Sequence, residues 1–273
     1  MSGATRHYIP GVAAFIIFAL RSGEPSMRLL VLSDVHANAT ALEAALAASA
    51  NRWEQVICLG DVIGYGPDPN EVADRLRALA PAIIRGNHDR AATHPEEMED
   101  FNPVARKAIE WTRDQLRPDN LSWLAQLPPG PLEAHGVILV HGAYQDEDQY
   151  VHSPAHALDS ILASPQPITF FGHTHYQGGF SYRHERLDLI HMRPPADASF
   201  AALRLDAAAR YLLNPGSIGQ PRDGDPRAAF AIADLDHGII EFWRVRYDIK
   251  SVQDRMARAG APEALIERLA FGR

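Results

Sequence analysis

Two pairs of residues define the chemistry this chain can carry: Asp34-x-His36 and His173-x-His175. Imidazole and carboxylate groups two residues apart form a clamp, because in an extended segment side chains i and i+2 point to the same side. Three further places add matching groups: Gly60-Asp61, Gly86-Asn87-His88-Asp89 and His141-Gly142. A glycine stands beside almost every one of them, which suits a backbone that must turn sharply and let a ligand approach. Singly, each has an ordinary explanation as a hydrogen-bonded core or loop residue. Jointly, and in order along the chain, they point to a metal centre. Mixed imidazole and carboxylate donors suit manganese, iron, zinc, nickel or cobalt, whereas an all-oxygen shell would suit magnesium or calcium.

These groups need elements to hold them. Short apolar runs read as strands over 28–33, 56–60, 82–85, 137–141 and 168–172, and each ends at one of the motifs; a strand-rich stretch follows from about 179 to 247. Helices are expected over 39–50 with Asn38 as its cap, then 70–80, 102–116, 154–163 behind Ser153-Pro154, 251–258 and 262–270. Continuous apolar strands imply cover on both faces, hence a layered α/β architecture with its chemistry at the carboxyl ends of the strands. The chain is read as one domain over 27–273, since no repeat, low-complexity stretch or long linker interrupts it. Residues 1–26 stand apart as an extension. The run Val12 to Leu20 is too short for a membrane span of ~18 residues or more, and no small-x-small cleavage signal follows it.

Composition narrows the class. The net charge of −8 argues against stable nucleic-acid or membrane binding. One cysteine, Cys58, rules out a disulfide scaffold within the chain and suits a reducing compartment, so the cytoplasm is expected.

The motifs Asp34-x-His36, Gly60-Asp61-x-x-Gly64, Gly86-Asn87-His88-Asp89, His141-Gly142 and Gly172-His173-x-His175 resemble, in family order, those of the calcineurin-like metallophosphoesterase superfamily. The stretch from Asn214-Pro215-Gly216-Ser217 to Gly224 is similar to a loop of its bacterial phosphodiesterase-like branch. The resemblance implies an α/β fold, a four-layer αββα sandwich of two mixed sheets flanked by helices. It implies two divalent ions, manganese expected first. Asp34, His36, Asp61 and His175 would hold one; Asp61, Asn87, His141 and His173 would hold the other, with Asp61 bridging. His88 would act as a catalytic acid beside Asp61 and Asn87.

Magnitudes agree on the nucleophile. A bound metal can take the pKa of water from about 15.7 to about 7, nominally ~12 kcal/mol, against roughly 3 to 5 kcal/mol from a positioned base. A metal-bridging hydroxide is therefore expected to attack phosphorus, while His88 protonates the leaving alkoxide. Arg222 would clamp the phosphate, unless neighbouring Asp223 or Asp225 takes its charge. The eukaryotic-type protein phosphatases of the superfamily carry an aspartate where Gly64 stands and a glutamate where Asp89 stands. A phosphodiesterase acting on small or nucleotide-like diesters is therefore expected, with phosphomonoesterase or protein phosphatase as the alternative and an inactive binding scaffold behind both. A helical His-Asp phosphohydrolase is set aside because His88-Asp89 follows a strand. The oligomeric state stays open.

Overall fold

The computed structural model describes residues 27–79 and 82–273; the expected extension 1–26 lies outside the described residues. Strand β1 (Arg28–Leu32) shows how the layers arise. Leu29 and Val31 face one side and Leu30 and Leu32 the other, and none of the four is exposed to solvent. A period-two strand buried on both faces must sit between two apolar layers.

The first sheet runs β3 (Ala82–Ile83), β2 (Gln55–Cys58), β1, β11 (Ala228–Asp234), β12 (Ile239–Val245) and β9 (Phe200–Arg204). The second runs β4 (Leu132–Ala134), β5 (Val137–Leu139), β6 (Ile168–Phe170), β10 (Arg210–Asn214), β7 (Gly178–Arg183) and β8 (Arg186–His191). Both are mixed: β1 is parallel to β2 and antiparallel to β11, while β10 is parallel to β6 and antiparallel to β7. Leu29, Val31, Ile57 and Leu59 from the first sheet meet Leu139, Phe170 and Leu213 from the second in a dry layer between them. On its outer face the first sheet packs Leu30, Leu32 and Val56 against α1 (Ala39–Ala48) and α2 (Pro69–Leu79) through Leu42, Leu46, Val72 and Leu76. The second sheet packs Ile138 and Leu212 against Ala157 and Ile161 of α6 (Pro154–Ala163). This is the expected αββα sandwich. Each fully buried leucine or isoleucine contributes about 1.5–3 kcal/mol, so the interior layers hold the frame and leave the strand ends free to vary.

Asn38 caps α1, its Oδ1 accepting from the Ala41 amide at 3.0 Å, and Ser153 caps α6 through the His156 amide. Two short helices were not legible. Residues Asn87–Thr93 form α3 and Pro118–Leu124 form α5, on either side of α4 (Pro103–Gln115); α7 (Ile249–Arg258) and α8 (Glu263–Arg268) close the described chain. Seven residues are too few to display a 3.6-residue period, so a sequence such as Asn-His-Asp-Arg-Ala-Ala-Thr reads as a loop. Among the described residues no helix is long and apolar enough to cross a membrane.

Candidate metal centre

The parallel strands β1, β2, β5 and β6 deliver their carboxyl ends to one edge of the sandwich, where the loops after them converge. Asp34, His36, Asp61, His141, His173 and His175 are each at most 4 % exposed. Asp34, His36, Asp61 and His175 present donor atoms within 4.8 Å of one another, and so do Asp61, His141 and His173. The two groups share Asp61. Its Oδ2 stands 3.5 Å from His36 Nε2 and 3.5 Å from His141 Nε2, while its Oδ1 accepts the His88 amide at 2.9 Å from the first turn of α3. Asn87 joins the second group: its Oδ1 is 3.1 Å from His141 Nε2.

The paired motifs converge for a different reason from the one their spacing suggests. β1 stops at Leu32, so Asp34 and His36 are not on a strand. Both adopt left-handed backbone, φ 51° and 50°, as do Asp61 (53°), His173 (62°) and His175 (61°). For non-glycine residues this region is sparsely populated and costs of order 1 kcal/mol or more each. The cost is met by a hydrogen-bond frame. Asp34 and His36 amides donate to the carbonyls of Gly60 and Asp61, and the end of β10 with the loop after it braces both sides: Ser217 Oγ donates to Asp34 O, and Asn214 Nδ2 to Gly172 O. At Gly86 and Gly172 a Cβ would collide with Asp61 Oδ1 and Ser33 Oγ, so these two glycines permit the approach of the loops.

Protons are assigned by the same frame. A backbone carbonyl only accepts, so each imidazole nitrogen facing one must carry the hydrogen. Nδ1 of His36, His141 and His175 donates to Ile63 O (3.2 Å), Leu59 O (2.8 Å) and Gln220 O (2.5 Å); His173 is reversed, with Nε2 donating to Asp148 O at 3.0 Å. That leaves the lone pair of each neutral ring on the opposite nitrogen. His36 Nε2 and His175 Nε2 then face each other at 3.1 Å with no proton between them. Such a contact is repulsive unless a cation sits there, and ligand pairs on one ion bound at about 2.0–2.2 Å are separated by distances of this order. The residues therefore fit a divalent metal at this place.

Electrostatics point the same way. Burial drives His36 and His175 below the usual imidazole range and His173 down to about 3, with His141 adding repulsion at His173. His141 differs: burial opposes its charge, but Asp61 prevails and pushes it up to about 10. Burial would raise Asp34 and Asp61, yet neighbouring imidazoles, His175 for Asp34 and His141 for Asp61, hold both below the usual carboxylate range.

His88 and Asp89 open α3, so the argument that separated them from a helical His-Asp pair is corrected: the pair is on a helix. Asp89 is nevertheless committed elsewhere, accepting the amides of Gly86, Val62 and Ile63 at 2.9–3.2 Å. It fastens the Asp61 loop to α3, a role only its neighbours reveal. Burial and the nearby Asp61 push Asp89 up to about 7. His88 lies between the rings of Tyr65 (4.4 Å) and Phe101 (5.2 Å), its Nδ1 has no partner, and burial holds it down to about 4.

The salt-bridge reading of Arg222 fails, because Asp223 pairs with Arg244 and Asp225 with Arg227 at 2.7 Å. Arg222 instead donates to Gln220 Oε1 at 3.2 Å and lies 5.9 Å from the Tyr65 ring centroid, its Nε buried without a partner. Two residues not singled out in the sequence, Tyr150 and Phe101, shape the mouth beside Tyr65: Tyr150 stacks on His173 at 3.8 Å, and the three line a cavity of about 550 Å³ that reaches Asn87 and His88. No spacing signal marks Tyr150 or Phe101. A second cavity of about 570 Å³, by Arg193 and Tyr247, carries none of the centre's residues. Cys58 is buried in β2, and burial pushes its thiol up, so it remains an inert core group.

The comparisons follow this geometry. The chain is 34 % identical over 249 residues to the uncharacterized protein MJ0912 of Methanocaldococcus jannaschii, covering 90 % of this chain and 98 % of that one. Its fold is similar to the crystal structure of a metallophosphoesterase from Sphaerobacter thermophilus, with a TM-score of 0.76, 38 % identity, and coverage of 91 % of this chain and 100 % of that one. It is also similar to the hypothetical protein PH1004 from Pyrococcus horikoshii OT3, with a TM-score of 0.72, 20 % identity and coverage of 90 % and 99 %, a likeness of fold alone. The family model for the calcineurin-like phosphoesterase superfamily domain matches residues 27–238. With its two mixed sheets, and with buried imidazoles and carboxylates gathered where the strands end, the chain belongs to the calcineurin-like phosphoesterase superfamily.

Proposed function

We propose that this protein is a phosphodiesterase for small, nucleotide-like diesters, working with two divalent cations, manganese first among them. The supporting observation is the single oxygen, Asp61 Oδ2, at 3.5 Å from an imidazole of each donor group. Asp34, His36, Asp61 and His175 would hold one cation, and Asp61, Asn87, His141 and His173 the other. When bound, the pair supplies an activated water and positive charge against the phosphoryl oxygens.

The chain's own side chains then orient the ester. Asn87 Oδ1 fixes its amide at the mouth of the cavity, so its Nδ2 can donate to a phosphoryl oxygen. Arg222, unspent on any carboxylate, adds a charge-assisted contact. His88 rests neutral in the free site; an anionic phosphoester beside it favours the imidazolium, which can then protonate the departing alkoxide from its unpartnered nitrogen. Cys58, a free buried thiol, suits a reducing cytoplasm.

Turnover of bis-p-nitrophenyl phosphate and p-nitrophenyl phosphate under Mn²⁺ tests the reading. A preference for the diester is expected, and a clear preference for the monoester overturns it in favour of a phosphomonoesterase or protein phosphatase. No turnover and no bound metal by elemental analysis would favour a binding scaffold. For His88→Ala, both metals should be retained while rates fall about 10²-fold on poor leaving groups and much less on good ones. An equal loss on both kinds removes the acid role.

A further inference from the structure

Asn87, His141 and His173 are each tied, directly or through a chain neighbour, to one short segment, Glu147 to Tyr150, in the loop between β5 and α6. The tie to Asn87 is ionic. Glu147 accepts a two-pronged bond from Arg85, 2.8 Å at Nη2 and 3.2 Å at Nε, and a third bond from Arg90 at 2.5 Å. Arg85 precedes Asn87 by two residues and Arg90 follows it by one turn of α3, so a single carboxylate pins the chain on both sides of that side chain. Burial would raise the Glu147 carboxyl, yet Arg85 and Arg90 hold it below the usual carboxylate range, so it stays ionised. His173 is held twice: its Nε2 donates to Asp148 O at 3.0 Å, and the Tyr150 ring stacks on it at 3.8 Å. Beside His141, Gly142 lets the segment close in, since a Cβ there would stand 2.6 Å from Glu147 O and 2.8 Å from Gln149 O. Asp34, His36 and His175 make no hydrogen bond or ion pair to this segment among the described residues.

We propose that Glu147 and Tyr150 are positioning residues for the second cation alone: through Arg85 and Arg90, and through the face of His173, they set the spacing at which Asn87 and His173 share one ion. This rests on the two-cation reading of the centre. Asn87 and His173 come from different sheets, Asn87 from the turn after β3 and His173 from the loop after β6, so no local geometry fixes their separation. The segment spans that gap. Without the Glu147 charge the two guanidinium groups repel each other across the place it held, and both the start of α3 and the loop carrying Asp148 O are released together. Groups that orient a ligand in this way typically govern the affinity for its metal about as strongly as a weak ligand does.

The test titrates the metal-free full chain with Mn²⁺ by calorimetry, in the wild type, Glu147→Gln, Glu147→Asp, Tyr150→Leu and Glu110→Gln, the last in an exposed surface pair on α4. The affinity for one of two ions should fall about tenfold in E147Q while the other stays unchanged, and should return in part in E147D, whose shorter carboxylate the flexible Arg85 and Arg90 can follow. Y150L, at a ring that is 39 % exposed and so dispensable for folding, should weaken the same ion about threefold, and E110Q should weaken neither. A merely structural role for Glu147 would weaken both ions together, or lower thermal stability and leave both affinities alone; either result overturns the proposal. Two ions bound equally by wild type and E147Q overturn the positioning role and leave the two-cation reading standing. A wild type that takes up a single ion overturns both.

Discussion

The two donor groups differ although they share Asp61. Asp34, His36 and His175 are sealed from solvent, and Asp61, Asp34, His36 and His175 all carry left-handed backbone locked by amides and carbonyls from both sheets. The second group opens outwards: Asn87 is half-buried, and His173 and Asn87 line the mouth cavity. Its protons differ as well. His36 and His175 are driven neutral by burial, whereas Asp61 holds a proton on His141. A donor set closed on every side holds a cation persistently, and one whose Asn87 and His173 face the mouth cavity exchanges it more readily and leaves room for substrate.

Breaking the bridge should have the largest effect. Asp61→Asn is expected to lose metal from both groups and at least about 10³-fold in turnover, since it removes the shared anionic ligand. Elemental analysis beside kinetics checks this, and retention of either metal at full stoichiometry would mean the groups are independent. Single-group variants sharpen the asymmetry. Asn87→Ala should lower the affinity for one cation about tenfold and leave one tightly held, while His36→Ala should deplete the tightly held one; equal losses in both would erase the distinction. The smallest effect is a slope with pH. His141 must give up its proton to become a ligand, so affinity rises with pH up to about 10, by about tenfold per unit, and loading both groups releases about one proton. Calorimetry in buffers of different ionisation enthalpy measures it. His141→Gln should abolish the release, because His36, His173 and His175 are already neutral.

Much of the fold was legible because burial writes itself into the strands: β1 and β2 are apolar on both faces, and only a layer on each side can bury them. Short helices were not, as α3 shows; seven residues carry no period, yet α3 supplies the amide that holds Asp61. At the centre the spacing Asp34-x-His36 announced two donors, but the convergence comes from two left-handed residues in a loop rather than from strand alternation. In the sequence Arg222 read equally as a phosphate clamp and as the partner of Asp223 or Asp225. Arg227 takes Asp225 from only two residues away, but that Arg244 takes Asp223 depends on β12 folding back beside that loop.

By itself, then, the sequence determined the kinds of donor atoms, their order and their attachment to strand ends, because side-chain chemistry and local hydrophobic patterning are properties of short segments. Only the tertiary structure decided which nitrogen of each imidazole faces inward. That choice is made by carbonyls of Ile63, Leu59, Gln220 and Asp148, between 25 and 82 residues away from the rings they hold, and it turns separate histidines into two sets of converging lone pairs.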